Sequence, residues 1–331
     1  AIFKYFLTTL NKMKIAYFLI EPWQEKILRE NFLDSELQIF SQPLNRENIE
    51  KITDTDIIVS RARFIDLKLN RETLEKLPNL KFIATMSTGF DHIDLDYCRQ
   101  KNILVSNVPA YGSVSVVEQT FALLLAISRK IPQAANALKD NPTNQSNLIG
   151  FDLDEKTLGV IGSGKIGLNV IKIAKSFGMN VLVHDIIKNH QAAEELGFKY
   201  VELSELLQNS DIITLHTFLN KDSFHLISEK ELSLLKQDAI IINTARGGLI
   251  DTRALINYLQ SNPLAFAGLD VFEGESTDFK VNKYLQELSS VDNVIITPHN
   301  ASNTKEAKEK ILQTTIGNIK EFINEKQINV V

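Results

Sequence analysis

Short apolar runs alternate with mixed stretches along two blocks of the chain. In the first, the pattern predicts strands near residues 14–20, 37–40, 56–59, 81–85 and 103–106, with helices near 22–31, 70–77 and 94–101. Strand and helix in alternation argue for a parallel sheet covered by helices. Residues 113–130 differ, being apolar around much of the helical circumference with no Gly or Pro until Pro132. They predict one long, largely buried helix with Ser113 as its N-cap. The stretch from Asp140 to Gly150 has loop composition. In the second block, strands are expected near 157–161, 180–184, 211–215, 239–243, 264–269 and 293–297, and helices near 165–177, 190–196, 228–236 and 251–260. Six strands so separated are the count of a complete doubly wound sheet. The tail, residues 305–326, is amphipathic and finds no uncovered strand in its own block, so it is expected to return to the first. The implied domains are residues 1–108 plus 300–331, discontinuous, and an inserted domain of residues 109–299.

Composition narrows the class. The 331 residues favour two domains, and 44% hydrophobic with 23% charged residues, 14 Gly and 8 Pro exclude a disordered or linker-rich chain. The net charge is −5 and the basic residues are scattered, a poor match to a phosphate backbone, so no nucleic acid is expected as partner. Cys98 is the one cysteine. It has no partner for an internal disulfide or a CxxC metal site, which fits a reducing cytoplasm and no metal. No apolar run approaches the roughly 18 residues of a membrane helix, the nearest being 121–127. The opening lacks a basic start and a small-residue cleavage site, and Met13 directly precedes the first strand, so Met13 reads as the natural start.

The chemistry sits after predicted strands. Gly162-Ser-Gly-Lys-Ile-Gly167 follows the strand at 157–161 and opens a helix, the context of a dinucleotide fingerprint, with pyrophosphate at the helix N-terminus. Such a turn can also serve only to pack helix on strand. Here, however, Asp185 ends the second strand 23 residues after Gly162, where a carboxylate accepts hydrogen bonds from a ribose diol. Opposite a 2′-phosphate it would meet a like charge, about 4 kcal/mol at about 4 Å with an effective dielectric of about 20, which favours NAD over NADP. Lys188 lies close enough in sequence to oppose that preference unless it is an exposed surface lysine. Asn243-Thr-Ala-Arg-Gly-Gly248 follows another strand and brings Arg246 to the strand ends, where ligands bind in open α/β sheets. Its planar fork suits a carboxylate, the bland alternative being a surface salt bridge. His299 stands past a strand end and a proline, with Asp270 and Glu275 as candidate carboxylates at the neighbouring strand end. A histidine bonded to a carboxylate is held in one tautomer and suits proton donation near neutral pH. His216, at another strand end, is its competitor; His92, His190 and His225 lack such placement. Spacing leaves Glu273 and Glu275 equal as partners.

From Met13 onward the chain resembles the D-isomer-specific 2-hydroxyacid dehydrogenases. The resemblance rests on the glycine fingerprint with its acid, STGFDHID at 87–94, NTARGG, GLDVFEGE and the TPH segment. It implies a flavodoxin-like substrate (catalytic) domain with an inserted Rossmann NAD-binding domain, both doubly wound parallel sheets of α/β class, and a homodimer packed through residues 113–130. It implies that Arg246 binds the substrate carboxylate and polarises the carbonyl, that His299 is the acid/base, and that Glu275 orients it. The cofactor set it implies is Gly162, Gly164, Lys165, Ile166, Gly167, Asp185, Thr217, Thr244 and Asp270, the last near the nicotinamide carboxamide. Backbone amides of Thr88 and Gly89 help hold the substrate. Val108-Pro-Ala-Tyr-Gly112 resembles the tyrosine-bearing segment of the D-lactate branch, which makes Tyr111 either a pocket residue or a packing one.

There are departures from the pattern. The residues after His299 lack the aromatic common in the D-lactate branch, Phe218 replaces a usual proline after Thr217, and 276–292 carries no recognisable signature. The expected activity is reversible hydride transfer between NADH and a small 2-oxo acid of D-lactate/pyruvate type. Rivals are glycerate, phosphoglycerate or phosphite oxidation in the same scaffold, or a cofactor-sensing corepressor-like binding protein; the lack of basic or low-complexity arms argues against the last.

Overall fold

In the first block, each predicted strand forms, trimmed at its ends or, for the second and third, shifted by one residue. These are β1 Lys14–Tyr17, β2 Glu36–Ile39, β3 Ile57–Ser60, β4 Phe82–Thr85 and β5 Leu104–Ser106, all parallel in the order β2-β1-β3-β4-β5. This is the flavodoxin-like order. The molecule is a computed structural model that describes residues 12–61, 67–109, 112–140, 148–275 and 282–331. The chain divides into two compact units, Ala1–Tyr111 with Lys305–Val331, and Gly112–Thr304.

Successive strand residues face opposite sides of a sheet, so a parallel sheet covered on both faces needs apolar residues at every position. In the first unit, Ala16, Ile58, Ile83 and Val105 enter one core with Ile49, Leu74 and Tyr97. Ile15, Tyr17, Ile57, Val59 and Phe82 enter the other, where Leu28 meets Ile311, Leu312, Ile316 and Ile319 of the tail helix Lys305–Ile323. The tail therefore covers this sheet, and Val330 closes an antiparallel bridge to Ser106 beside it.

The second unit holds seven parallel strands: β6 Thr157–Ile161, β7 Asn180–His184, β8 Lys199–Tyr200, β9 Ile212–Leu215, β10 Ile240–Asn243, β11 Phe266–Leu269 and β12 Val294–Ile296. Their order, β12-β11-β10-β9-β6-β7-β8, is the Rossmann order with one added strand. The sequence pattern predicts six, and the one it omits is β8. Two residues on a sheet edge carry no readable periodicity, so the sequence count was complete only by including the added strand β12.

The helix Ser113–Ser128 is buried as expected, through Val117, Phe121, Leu123, Leu124 and Ile127, against Val160, Ile240 and Ile242. Its N-cap is Gly112, and Ser113 is its first residue rather than its cap. It stops two residues early because Lys130 adopts φ +49°, and a second helix, Ile131–Asp140, follows. Pro132 marks the start of that helix, in a first turn where its missing N–H is no loss. The helices Leu203–Asn209 and Lys283–Ser289 were also unforeseen.

Candidate active site

Parallel register turns one row of residues into an edge. His184 pairs with Ile161, Ile161 with Leu215, Leu215 with Asn243, Asn243 with Leu269 and Leu269 with Ile296. The next residues along the six strands, Asp185, Gly162, His216, Thr244, Asp270 and Thr297, therefore leave the sheet at one edge. The second unit thus gathers its candidate chemistry at the carboxyl ends of its strands.

At the middle of that edge Gly162 turns with φ +97°, and a Cβ there would lie 2.7 Å from the His216 carbonyl carbon. Gly167 brings the helix Lys165–Ser176 against the turn, a Cβ there falling 2.0 Å from the Gly162 carbonyl oxygen. Gly164, the N-cap, opens on clear space with nothing within 4 Å of its Cβ position and no side-chain cap on the helix. An uncapped helix N-terminus with no acidic residue in its first turn fits a pyrophosphate. Asp185 accepts from the Ser163 amide (2.5 Å), the Ser163 hydroxyl (2.9 Å) and the Ile187 amide (3.0 Å). Burial raises its pKa but the Ile187 and Ser163 donors outweigh it, holding the carboxyl below its ordinary range. An ionised acid at that point fits the adenosine ribose of NAD. Lys188 lies 4.0 Å from Glu202 and is itself exposed.

Farther along the edge, Arg246 sits in an extended segment fixed by Asn243, whose side chain donates to the Arg246 carbonyl (2.9 Å) and accepts from the Ala245 amide (3.0 Å). Gly247 then lies so close to the segment after β11 that a Cβ would be 2.1 Å from the Phe272 carbonyl carbon. That segment ends in Glu275, which accepts from the Phe272 amide (2.9 Å) and from His299 Nδ1 (2.6 Å). With Nδ1 donating to the carboxylate, Nε2 is the nitrogen left to exchange a proton. His299 has φ +49°, a left-handed conformation that costs a non-glycine residue about 1 kcal/mol or more and persists only where its surroundings impose it. Here they do. Its amide donates to the carbonyls of Asp270 (2.8 Å) and Thr297 (2.9 Å).

Asp270 is fully buried. It accepts from Thr297 Oγ1 (2.5 Å), the Asn300 amide (2.7 Å) and the Ala301 amide (2.8 Å), and so pins both sides of His299. Its observed partners belong to the histidine loop. His216 shares Thr214 through Nε2 (2.9 Å), while its Nδ1 is buried with no partner among the described residues. Burial pushes its imidazole down to about 3, which leaves it neutral and unsuited to donate a proton. Thr217 follows it, its amide closely apposed to Gly162. Thr244 is buried and shares a hydrogen bond with Thr120 (3.0 Å).

The structure uses both candidate glutamates. Glu275 serves His299, and Glu273 meets His225 Nε2 at 2.8 Å while accepting from the Thr252 amide at 2.9 Å. His225 had no distinguishing signal in the sequence, because its partner lies 48 residues away. In the first unit, Thr88 and Gly89 follow β4; Thr88 donates to the Val108 carbonyl (2.9 Å) and Gly89 accepts from Ser87 (2.7 Å). Tyr111 lies outside the described residues, as do 1–11 and 276–281. No group of three or more His, Cys, Asp or Glu able to hold a metal occurs among the described residues.

Comparison with known proteins shows the family. The family model "D-isomer specific 2-hydroxyacid dehydrogenase, NAD binding domain" matches residues 121–301. The chain is 38% identical to the glyoxylate reductase of Thermococcus litoralis, over 83% of this chain and 82% of that one. It is 39% identical to the D-3-phosphoglycerate dehydrogenase of Methanocaldococcus jannaschii, over 86% of this chain and 52% of that longer one. The crystal structure of D-lactate dehydrogenase from Aquifex aeolicus complexed with NAD and lactic acid superposes with a TM-score of 0.87 at 36% identity, covering 96% of this chain and 98% of that one.

Proposed function

Because the chain belongs to the D-isomer-specific 2-hydroxyacid dehydrogenases, NAD-dependent oxidoreductases, we propose that it interconverts a small 2-oxo acid of pyruvate type with its D-2-hydroxy acid. The observation that carries this reading is the Glu275–His299 pair, built on the same strand edge as the glycine turn and Arg246.

Arg246 binds the substrate carboxylate and polarises the carbonyl, its guanidinium offering the geometry of a carboxylate clamp. The amides of Thr88 and Gly89 are the first unit's candidates for substrate binding. The glycine turn with Lys165 and Ile166, together with Asp185, Thr217, Thr244 and Asp270, forms the cofactor site, and NADH when bound supplies hydride to the carbonyl carbon. His299 Nε2 gives its proton to the carbonyl oxygen as the negative charge develops there, and takes it back in the oxidative direction. Glu275 keeps Nδ1 protonated and stabilises the imidazolium. The balance is 2-oxo acid, NADH and a proton on one side, 2-hydroxy acid and NAD on the other. In this reading the discontinuous unit is the substrate domain.

The test is NADH oxidation across pyruvate, glyoxylate, hydroxypyruvate and a phosphorylated 2-oxo acid. Turnover greatest with pyruvate supports the reading. Preference for a phosphorylated acid would transfer the assignment to phosphoglycerate chemistry, and absence of turnover with any 2-oxo acid would defeat it.

The reading extends to a cytoplasmic homodimer; no helix among the described residues is long and apolar enough to cross a membrane. The side chains available to a second copy around the helix Ser113–Ser128 are Val114, Ile131 and Ile149, all exposed, whereas Leu124 is core. Sedimentation should give two protomers, and an active monomer would refute this.

A further inference from the structure

The carboxylate of Asp185 is the end of a directed hydrogen-bond chain that runs through Tyr200 on the edge strand β8. Ser163 Oγ, with one proton, donates to Asp185 Oδ2 at 2.9 Å, an acceptor when ionised. The 2.8 Å contact between Ser163 Oγ and the Tyr200 hydroxyl can then run only from tyrosine to serine. The Tyr200 oxygen in turn accepts from the Asn189 amide at 2.9 Å. The donor inventory leaves one direction throughout: Asn189 N–H to Tyr200, Tyr200 O–H to Ser163, Ser163 O–H to Asp185.

The chain ties together three pieces that meet at the proposed ribose site. Ser163 lies inside the glycine turn, Asp185 ends β7, and Asn189 closes the loop that follows, whose Ile186 and Ile187 are 91% and 77% exposed. Tyr200 is held for this task by its ring, edge-on to Phe198 at 5.2 Å and to His190 at 6.0 Å. Lys188, the cation within the tied loop, lies toward Glu202, two residues beyond Tyr200. Without the tyrosine hydroxyl, Ser163 loses its donor and is free to rotate, and the Asn189 amide loses its acceptor. Asp185 then keeps its backbone donors and a Ser163 hydroxyl no longer held in one rotamer, and can turn from a position where it accepts from a diol and repels a phosphate.

We infer that Tyr200 is a positioning residue for cofactor selection, which through Ser163 and the Asn189 amide holds Asp185 where it grips a ribose diol and excludes a 2′-phosphate. The inference rests on the reading of Asp185 as the ribose ligand, and the test separates the two. Dissociation constants for NADH and NADPH are measured by nicotinamide fluorescence on the full chain, with thermal denaturation alongside, for wild type, Asp185→Ala, Tyr200→Phe and Ser163→Ala.

Asp185→Ala should abolish most of the preference for NADH; if it does not, the ribose-site reading fails first. With that satisfied, Tyr200→Phe and Ser163→Ala should each lower the NADH-over-NADPH preference about five- to tenfold, the worth of one or two hydrogen bonds. A purely structural role for the tyrosine would weaken both cofactors alike and leave the ratio unmoved. An unchanged ratio in both variants while Asp185→Ala shifts it overturns the inference, and Ser163→Ala alone decides if Tyr200→Phe fails to fold. Should NADPH stay below detection in every protein, unaltered NADH affinity in Ser163→Ala and Tyr200→Phe overturns it equally.

Discussion

Replacing Gly247 with alanine adds one methyl group and should disable the enzyme. The added Cβ would lie 2.1 Å from the Phe272 carbonyl carbon, 2.2 Å from its oxygen and 2.6 Å from the Glu273 nitrogen, whereas ordinary contact begins near 3.4 Å. All three are backbone atoms, so no side chain can swing aside. Neither backbone is loose. The segment Gly247–Leu249 is held by the Ile250 amide on the Gly247 carbonyl (3.1 Å), the His225 amide on the Gly248 carbonyl (2.8 Å) and the fully buried Leu249. The opposing segment is held by Glu273 on His225 and Thr252, and by Asn282, whose amide donates to the carbonyls of Glu273 (3.2 Å) and Gly274 (2.5 Å).

One of the two must retreat by about 1 Å, and each carries an assigned group, Arg246 on one side and Glu275 with its hold on His299 on the other. A misplacement of about 1 Å typically lowers a rate about 10²-fold. Overpacking of this kind destabilises by about 1–3 kcal/mol, and in a domain of this size each kcal/mol lowers Tm by about 2–4 °C. Steady-state NADH oxidation with the best 2-oxo acid, beside a thermal melt, measures both. A Gly247→Ala enzyme within threefold of wild-type kcat and with unchanged Tm would refute the claim that the Arg246 and Glu275 segments are rigidly apposed.

Four further outcomes are expected. Gly164→Ala is the converse case, since its Cβ meets nothing within 4 Å; Tm should hold while NADH binding weakens by at least about tenfold, as a methyl intrudes on the pyrophosphate cradle. Asp270→Asn turns an amide NH₂ toward buried donors at Thr297, Asn300 or Ala301, and should show both a melt lowered by about 1–3 kcal/mol and a depressed kcat as the His299 loop slackens. Arg246→Ala should raise KM and lower kcat together, about ten- to a hundredfold in kcat/KM for a lost charge-assisted contact, and near-wild-type kcat/KM would remove Arg246 from the site. Because burial pushes His216 down to about 3 from its ordinary 6.5, only the unfolded chain binds this proton between those values. Stability must therefore fall as pH drops through that window, and His216→Asn should flatten the pH dependence of stability measured by urea unfolding there.

The parts of the fold that were legible in the sequence are those where a two-sided core imposes its pattern. Ile240–Asn243 and Ile57–Ser60 are buried at every position, and such runs can be little else than interior strands. What escaped was decided by context. Lys199–Tyr200 is a strand only because Leu182 and Val183 lie beside it. The break between the helices Ser113–Ser128 and Ile131–Asp140 comes from the backbone of Lys130, a residue whose side chain signals nothing of the kind. Gly112 took the cap from Ser113 although serine is the usual choice, so the composition of a helix start fixes its position only to within a residue.

Site residues divide along the same line. Candidates just past a strand end, such as Asp185, Arg246 and His299, are legible in sequence because parallel strands in register must end together, and a polar residue one to three positions beyond an apolar run arrives at the common edge. Partners that join across loops are not found that way. Glu273 and Glu275 are separated by one residue and equally acidic, yet one holds His225 and the other His299; Gly274 between them, at φ +71°, sends their side chains different ways. Asp270 stands by position at the cofactor edge, and its role in holding the histidine loop through three donors is written nowhere in its local pattern. A reacting group needs neighbours that do not move, and those neighbours are chosen by chain crossings that no local pattern records. The sequence motif therefore marks where the chemistry is, while the Asp270, Glu273 and Tyr200 contacts, each reaching to a different loop, set how well its parts stay in place.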